Sequence, residues 1–430
     1  MKRATLTVLA CLCLLSTRAG AAPTAGPTPP DLQDLIDEAL ASHPRLQAAR
    51  LRAEAVEHRI GPAGALADPV IRLEMNNVPT SDWDFSSTPM SGRQLGVSQR
   101  LPWPGLRAAR QQVAHAAFAG ARERATDHEA QIVFDVKRAW YELAFLDRAI
   151  DIAGRNEQLL ADFVRIAQTK YAVGRGLQQD VLKAQVSQSG LRERLIVLQS
   201  QRRQAEAELN AALDRELDTP VDRTPELTPT PLTHEAGALE EMALQRRPVL
   251  AALGHDAVRW RAAESAARLE GRPDFDVSIA YRQRDFADDP VRGSDFVSAA
   301  VSVSLPLWRD RKEQEQATEA RLNALAAEST RKALALQIRL DIRQGYVAVT
   351  AHRERMRWLR TAIIPQAQQS LSAALAGYQV DKVDFLTLLD SQVSLLDFDT
   401  DAYRHLTDSE QILAQIEMAV GTRLFDEETE

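Results

Sequence analysis

The chain has 430 residues, and 60 acidic against 52 basic side chains give it a formal net charge of −8. That balance argues against a nucleic-acid partner, which would require a basic face. Both cysteines, Cys11 and Cys13, fall near the start, so the rest of the chain offers no disulfide, thiolate metal site or cysteine nucleophile.

In chain order, Lys2 and Arg3 precede an apolar run over residues 4–16, and Ala19-Gly20-Ala21 offers a cleavage site. Residues 1–21 therefore read as a secretory signal peptide. Val8-Leu9-Ala10-Cys11 leaves a lipoprotein reading open. Removing the leader takes away Lys2, Arg3 and Arg18 and makes the chain more acidic still. Beyond it no run of about 18 apolar residues exists, so no helix is expected to span a membrane, and a membrane role would have to come from strands. Residues 22–30 are Pro/Gly-rich and expected to be extended.

A first repeat is expected over 31–213. A helical pattern runs from Asp31 to about Ile60, broken at His43-Pro44 and ended by Gly61-Pro62. Period-2 alternation follows. Ile71, Leu73 and Met75 oppose Arg72, Glu74 and Asn76, then Leu95, Val97 and Leu101 oppose Gln94, Ser98 and Arg100. This predicts a β-hairpin over about 69–101 with a polar loop at 79–91. Residues 106–172 hold no proline and predict one long helix, about 100 Å at 1.5 Å per residue. A break at Gly174-Arg175-Gly176 leads into a second helix to about 213.

A Pro-rich linker, 214–236, precedes a second repeat over 237–421 and a tail at 422–430. Phe275, Val277, Ile279 and Tyr281 alternate with polar neighbours, as do Val297, Ala299, Val301, Val303 and Leu305. This predicts a hairpin over about 273–306 with its loop at 285–295. Each strand has about 10 residues, the length of a tilted membrane strand, although a soluble hairpin gives the same alternation. A long helical stretch over 310–378 contains Pro365, expected to kink it and free a carbonyl. The last helix, 384–421, carries Leu389, Val393, Leu396, Tyr403, Leu406, Leu413, Ile416 and Val420 as a heptad-like seam.

The two halves are copies. Pro44, Leu46, Pro69, Val97 and Pro102 recur 204 residues later as Pro248, Leu250, Pro273, Val301 and Pro306, and Tyr171 and Gln185 recur 207 later as Tyr378 and Gln392. So each half builds the same substructure. Four strands cannot close a membrane barrel, whose unpaired backbone groups would each cost several kcal/mol in lipid. If the strands lie in the membrane, the barrel is shared between chains, and three chains supply twelve strands and twelve long helices.

No enzyme is expected. The eight histidines form no i, i+4 pair or H-E-x-x-H, and no phosphate loop appears. Neither a cofactor nor a dedicated metal ligand is expected.

In this duplication, and in Val97-Ser-Gln-Arg-Leu-Pro-Trp-Pro-Gly105, Val301-Ser-Val-Ser-Leu-Pro-Leu307, Ile364-Pro-Gln-Ala367 and Tyr171-Ala-Val-Gly174…Asp180-Val-Leu-Lys-Ala-Gln185, the chain resembles the TolC-type outer-membrane efflux proteins. Ala67-Asp-Pro69…Asn77-Val-Pro79 is most similar to the CzcC-like, heavy-metal-efflux branch. The resemblance implies a mostly α fold with a small β part: a periplasmic α-barrel of long antiparallel helices on a trimeric twelve-stranded β-barrel. It implies the exit duct of a tripartite efflux system in the Gram-negative outer membrane, exporting divalent heavy-metal cations. The implied partners are two further copies of the chain, outer-membrane lipid, a periplasmic adaptor (membrane fusion protein) and an inner-membrane RND pump. Drug efflux or type I secretion is the rival transport reading. A periplasmic coiled-coil scaffold without a pore is the rival of another class.

The resemblance places an adaptor-docking tip at the two helix breaks, where Val173, Gly174, Leu177, Val380, Asp381 and Phe385 are the candidates. Asp381 stands where the family usually has glycine, so the second turn is expected to dock less well or to turn differently. Asp180 and Asp390 are candidates for an acidic periplasmic entrance, which would favour cations. Thr387 stands where a second acid is common. Trp83, Phe85, Trp103 and Trp308 suit membrane-interface girdles, with packing against a helix start as the other reading for Trp103 and Trp308.

Overall fold

The structure is a computed structural model and describes residues 31–81, 83–286 and 294–424. The expected leader, the extended segment at 22–30, residues 287–293 of the second inter-strand loop and most of the tail lie outside the described residues.

The N-terminal pattern forms α1 (Leu32–Ser42), α2 (Pro44–Glu57) and the short α3 (Ile60–Gly64). Asp31 caps α1 by accepting from the Gln33 N–H. His43 caps α2 through Nδ1, which accepts from the Arg45 N–H at 3.1 Å, and Pro44 fills the first turn. Gly61-Pro62 does not end the helical run as expected but lies inside α3. Proline is tolerated in a first helical turn, where its missing N–H has no intrahelical partner to lose.

Strands β1 (Val70–Asn76) and β2 (Gly92–Leu101) form the first hairpin, and β3 (Asp274–Gln283) and β4 (Phe296–Ser304) the second. The two hairpins join through β2 and β3 into one antiparallel sheet of order β1-β2-β3-β4. The register aligns the apolar sets: Ile71 faces Val97, Val97 faces Ile279, and Ile279 faces Ala299.

From β2 the chain enters α4, a single helix over Leu106–Ala172, and returns through α5 (Gln178–Leu213). The linker then crosses without regular structure to α6 (Ala236–Arg246) and α7 (Pro248–Glu270). It is tied down along its length. Asn210 donates to the carbonyls of Leu217 and Thr219, Asp147 accepts from Thr224, and Glu410 accepts from the Thr230 N–H. After β4 come α8 (Glu313–Trp358), α9 (Ile364–Gln379) and α10 (Phe385–Val420). Pro365 sits in the first turn of α9, and the residues before it, Leu359–Ile363, form a π-helical turn. The expected disturbance at Pro365 thus takes the form of one widened turn.

The duplication is visible in the core. Around the linker level, the first repeat buries Leu35, Ile132, Val136, Leu143, Leu209 and Leu213. The second buries Leu239, Ile338, Ile342, Val349, Ile416 and Val420 at the matching positions. A third cluster joins the far halves of both repeats, from Phe163 and Ala167 to Leu371, Tyr378, Phe385 and Leu388. The α10 seam is buried as expected with one change: Val393 is 46 % exposed, and Gln392 is buried in its place. Gln392 is held by a side-chain hydrogen bond to Asn156 of α4 at 2.9 Å, which satisfies a polar group that burial would otherwise penalise. Lys137 of α4 and Glu417 of α10 pair at 2.7 Å, both almost fully buried.

Candidate functional site: a bare apolar sheet and a braced helical tip

The sheet has two unlike faces. On one, Ile71, Leu73, Met75, Leu95, Val97, Val277, Ile279, Tyr281, Val297, Val301 and Val303 are all exposed, and Leu73 reaches 80 %. A soluble hairpin with this alternation would turn that face onto a core. Here no described element covers it. The opposite face is polar and cross-linked. Gln94 donates to Glu74 at 3.1 Å and accepts from Asn76 and from Arg282, while Arg100 pairs with Asp274. Apolar-out and polar-in is the pattern of a membrane barrel wall. The two outer strands, β1 and β4, each pair on one side only within the chain.

Of the four aromatics, Trp83 in the first inter-strand loop and Trp308 beyond β4 are exposed, at 69 % and 73 %. They stand toward opposite ends of the bare face. Phe85 lies under the Arg93 guanidinium, 4.3 Å from its ring centroid. Trp103 stacks on Phe275 at the start of β3 with ring centroids 6.2 Å apart.

At the far end of the helices, both breaks close in the same way. The Gly174 N–H donates to the Tyr171 carbonyl and the Arg175 N–H to that of Lys170, and the Asp381 and Lys382 N–H groups do the same to Tyr378 and Gly377. Both are Schellman motifs, which need a left-handed residue just past the helix. Gly174 supplies it with φ 74° and Asp381 with φ 61°. The expectation that Asp381 makes the second hairpin turn differently is therefore corrected. Aspartate tolerates the left-handed region better than most side chains, and here its carboxylate is held by the Lys170 ammonium and by Arg175 Nη2 at 2.6 Å. Those hydrogen bonds keep the Asp381 carboxyl below the usual carboxylate range.

Lys170 also donates to the Tyr378 carbonyl and lies 4.3 Å from the Tyr378 ring centroid. The Tyr378 hydroxyl donates to Asp180 at 3.3 Å. Burial, and then the nearby Asp180 carboxylate, push the Tyr378 phenol up to about 12. The structure thus brings Asp180 together with Tyr378, Lys170 and Asp381 in one brace between the two helical hairpins. Asp390 is exposed on α10 and takes no part in it.

Val173, Leu177 and Val380 are exposed at the tip, at 65 %, 66 % and 58 %. Phe385 is not. It is 2 % exposed, packed on Tyr378 with ring centroids 5.2 Å apart, and this corrects its place among the outward-facing residues. As the first residue of α10 it points back into the core that joins the two hairpins. Asp384 caps the same helix, accepting from the Thr387 N–H at 2.8 Å.

One grouping was missed in the sequence. His352 of α8 meets His405 and Asp408 of α10, with all three ligand-type atoms within 4.8 Å of one another. The only local signal is the i, i+3 spacing of His405 and Asp408 on one helix face.

Residues 35–215 match the model of the outer membrane efflux protein family. The fold agrees with that match along nearly the whole chain. The outer-membrane protein VceC of Vibrio cholerae superposes with a TM-score of 0.76 at 19 % identity, covering 91 % of this chain and 96 % of that one. The channel protein CusC superposes with a TM-score of 0.72 at 14 % identity, over 91 % and 92 %. The chain thus shares the fold of solved outer-membrane channels over nearly its whole length and matches the outer membrane efflux protein family model over residues 35–215. Among characterised relatives, the cobalt-zinc-cadmium resistance protein CzcC of Cupriavidus metallidurans is 22 % identical over 374 residues, 85 % of this chain and 84 % of CzcC.

Proposed function

We propose that this protein is the outer-membrane exit duct of a tripartite RND-type efflux system for divalent heavy-metal cations. The observation that carries the channel reading is the uncovered apolar face of the sheet, backed by its hydrogen-bonded polar face. Water would penalise that face at about 25 cal/mol per Å², and lipid would not. Four strands with two half-paired outer strands fit a barrel closed by joining β4 of one chain to β1 of the next. Three chains give twelve strands, and the duplication makes the trimer pseudo-sixfold. A periplasmic scaffold without a pore leaves the bare face unexplained.

In this reading the braced tip is the closed periplasmic entrance. Val173, Leu177 and Val380 offer an apolar surface to a helical hairpin of an adaptor. Opening requires the two hairpins of each chain to part at the Lys170–Asp381 and Tyr378–Asp180 contacts. Asp180 and Asp390 then favour cations in the mouth. Energy comes from the inner-membrane pump, and passage through the duct is passive. The likeness to CzcC supports metal cations as cargo.

Survival of a strain lacking this protein, on graded zinc, cobalt, cadmium and copper beside dyes and detergents, tests the cargo. Sensitivity to metals alone, restored by the intact gene, is expected. Sensitivity to dyes and detergents alone would keep the duct and move it to drug export.

A further inference from the structure

The two repeats fill one equivalent position of the helical layer with different chemistry. In the first repeat, Leu146 is buried and Leu198 packs against the same core cluster. The core pairs Val136/Ile342 and Leu209/Ile416 set the local offsets at 206 residues between α4 and α8 and 207 between α5 and α10. Applied to the leucines, those offsets land on His352 and His405. An apolar pair in one copy has become an imidazole pair in the other.

The imidazoles are placed as ligands are. Their Nδ1 atoms lie 3.1 Å apart, and the rings meet edge to face at 71°. Asp408 Oδ2 lies 3.7 Å from His352 Nδ1. Zinc binds imidazole nitrogen at about 2.0–2.1 Å, so tetrahedral ligand atoms stand about 3.3 Å from one another, between these two spacings. Two bare Nδ1 lone pairs at such a distance repel. Either a shared proton or a cation between them removes the conflict.

The neighbours suit a cation held by one carboxylate oxygen. Arg404 Nε pairs with the other oxygen, Asp408 Oδ1, at 3.0 Å and so orients the carboxylate. The charged groups facing the pair are Asp401 and Asp408, which favour a cation, and Arg355 and Arg404, which oppose it. His352 and Asp408 side chains are each 24 % exposed, leaving room for a water as fourth ligand.

We propose that His352, His405 and Asp408 form a site for a divalent transition-metal ion of the zinc or cobalt class, clamping α8 to α10 beside the linker. Within two residues of the histidines, Tyr403 accepts from the Leu227 N–H and Arg353 donates to the Thr230 carbonyl. An ion there fastens the helices at the level where the linker crosses. The site goes beyond the cargo reading and does not rest on it, since a passive duct needs no such ligand set.

The test uses the full-length protein in detergent, stripped with chelator and titrated with Co²⁺, then competed with Zn²⁺. One ion per chain is expected, with the visible absorption of cobalt in a nitrogen and oxygen tetrahedral site. The variant His352→Leu/His405→Leu copies the first repeat's own packing and so preserves the fold. Affinity should fall by more than about 100-fold, beyond the loss that an orienting neighbour alone causes. Asp408→Asn, which keeps both imidazoles, gives a second reading and should weaken binding. His234→Ala, which removes an imidazole that is not one of the three ligands, should change nothing. A wild-type protein that binds no ion, or a double-leucine variant with unchanged stoichiometry and affinity, would overturn the proposal. The export reading is scored by survival and the site by binding, so either fails without the other.

Discussion

Asp381 holds the same left-handed backbone position as Gly174, 207 residues earlier, and its carboxylate reaches back to Lys170 on the opposite hairpin. One residue thus sets a turn and ties two helical hairpins. The two roles separate by mutation. Asp381→Gly keeps the turn and loses the tie; Asp381→Ala loses the tie and strains the turn. Limited proteolysis at the tip should rank wild type as slowest, Asp381→Gly as intermediate and Asp381→Ala as fastest. Equal rates for glycine and alanine would mean that the turn carries no strain.

Loosening the brace should open the entrance. Tyr378→Phe with Asp381→Asn removes the hydrogen bond to Asp180 and the charge that Lys170 and Arg175 hold. In planar bilayers its mean conductance should exceed that of wild type. Asp180→Ala with Asp390→Ala should also raise leak while reducing cation preference. Unchanged conductance and selectivity would remove both aspartates from the mouth.

The brace has a pH signature at each end of the scale. The Tyr378 phenol is raised from its ordinary value of 10.0 to about 12, so its contribution is complete below pH 10 and is lost as pH climbs toward 12. The Asp381 carboxyl is lowered, so its contribution is complete above its ordinary value of 3.8 and is lost as pH falls below it. Tip proteolysis by acid- and alkali-tolerant proteases should be slowest between these limits. Tyr378→Phe should abolish the alkaline rise alone.

The sheet's two faces predict opposite tolerances at adjacent residues. Ile279→Arg places a charge on the bare face and should cost about 2–4 kcal/mol of membrane stability near mid-depth. Ser278→Arg falls on the polar face and should be accepted. Assembly into heat-resistant oligomers in outer-membrane fractions distinguishes the two.

The buried pair between α4 and α10 should be sensitive to losing one partner. Lys137→Met takes the ammonium away from the buried Glu417 carboxylate, which keeps the Leu424 N–H, and should destabilise the protein by up to about 3–5 kcal/mol. Lys137→Met/Glu417→Leu should recover most of that loss. Thermal unfolding of the detergent-solubilised protein reads both.

What could be read from the sequence follows from the range of the forces. The strands and the 67-residue α4 were legible because period-2 alternation and the absence of proline are local properties. The burial of Phe385 was not, because it depends on Tyr378, which packs on it from the preceding helix across the turn. The exchange of Val393 for Gln392 in the α10 seam was hidden for a similar reason: only Asn156, 236 residues away, makes a buried amide acceptable there. His352 and His405 lie 53 residues apart and meet only because α8 and α10 pack. The left-handed aspartate was missed because a departure from glycine was read as a change of shape.

The widened turn at Leu359–Ile363 accounts for a length mismatch between the repeats. Before it, matching core positions such as Val136 and Ile342 stand 206 residues apart; beyond it, Ala167 and Ala374, and Tyr171 and Tyr378, stand 207 apart. The second copy carries one residue more than the first between those points. In an unbroken α-helix that surplus would rotate everything downstream by about 100° and advance it by about 1.5 Å. It would swing Leu371, Ala374 and Tyr378 off the core they share with α4. A single π turn stores the extra residue as a bulge, so the helix leaves it facing the way it entered. The ageing of a gene duplication is thereby absorbed in five residues, and the two hairpins still finish level with each other.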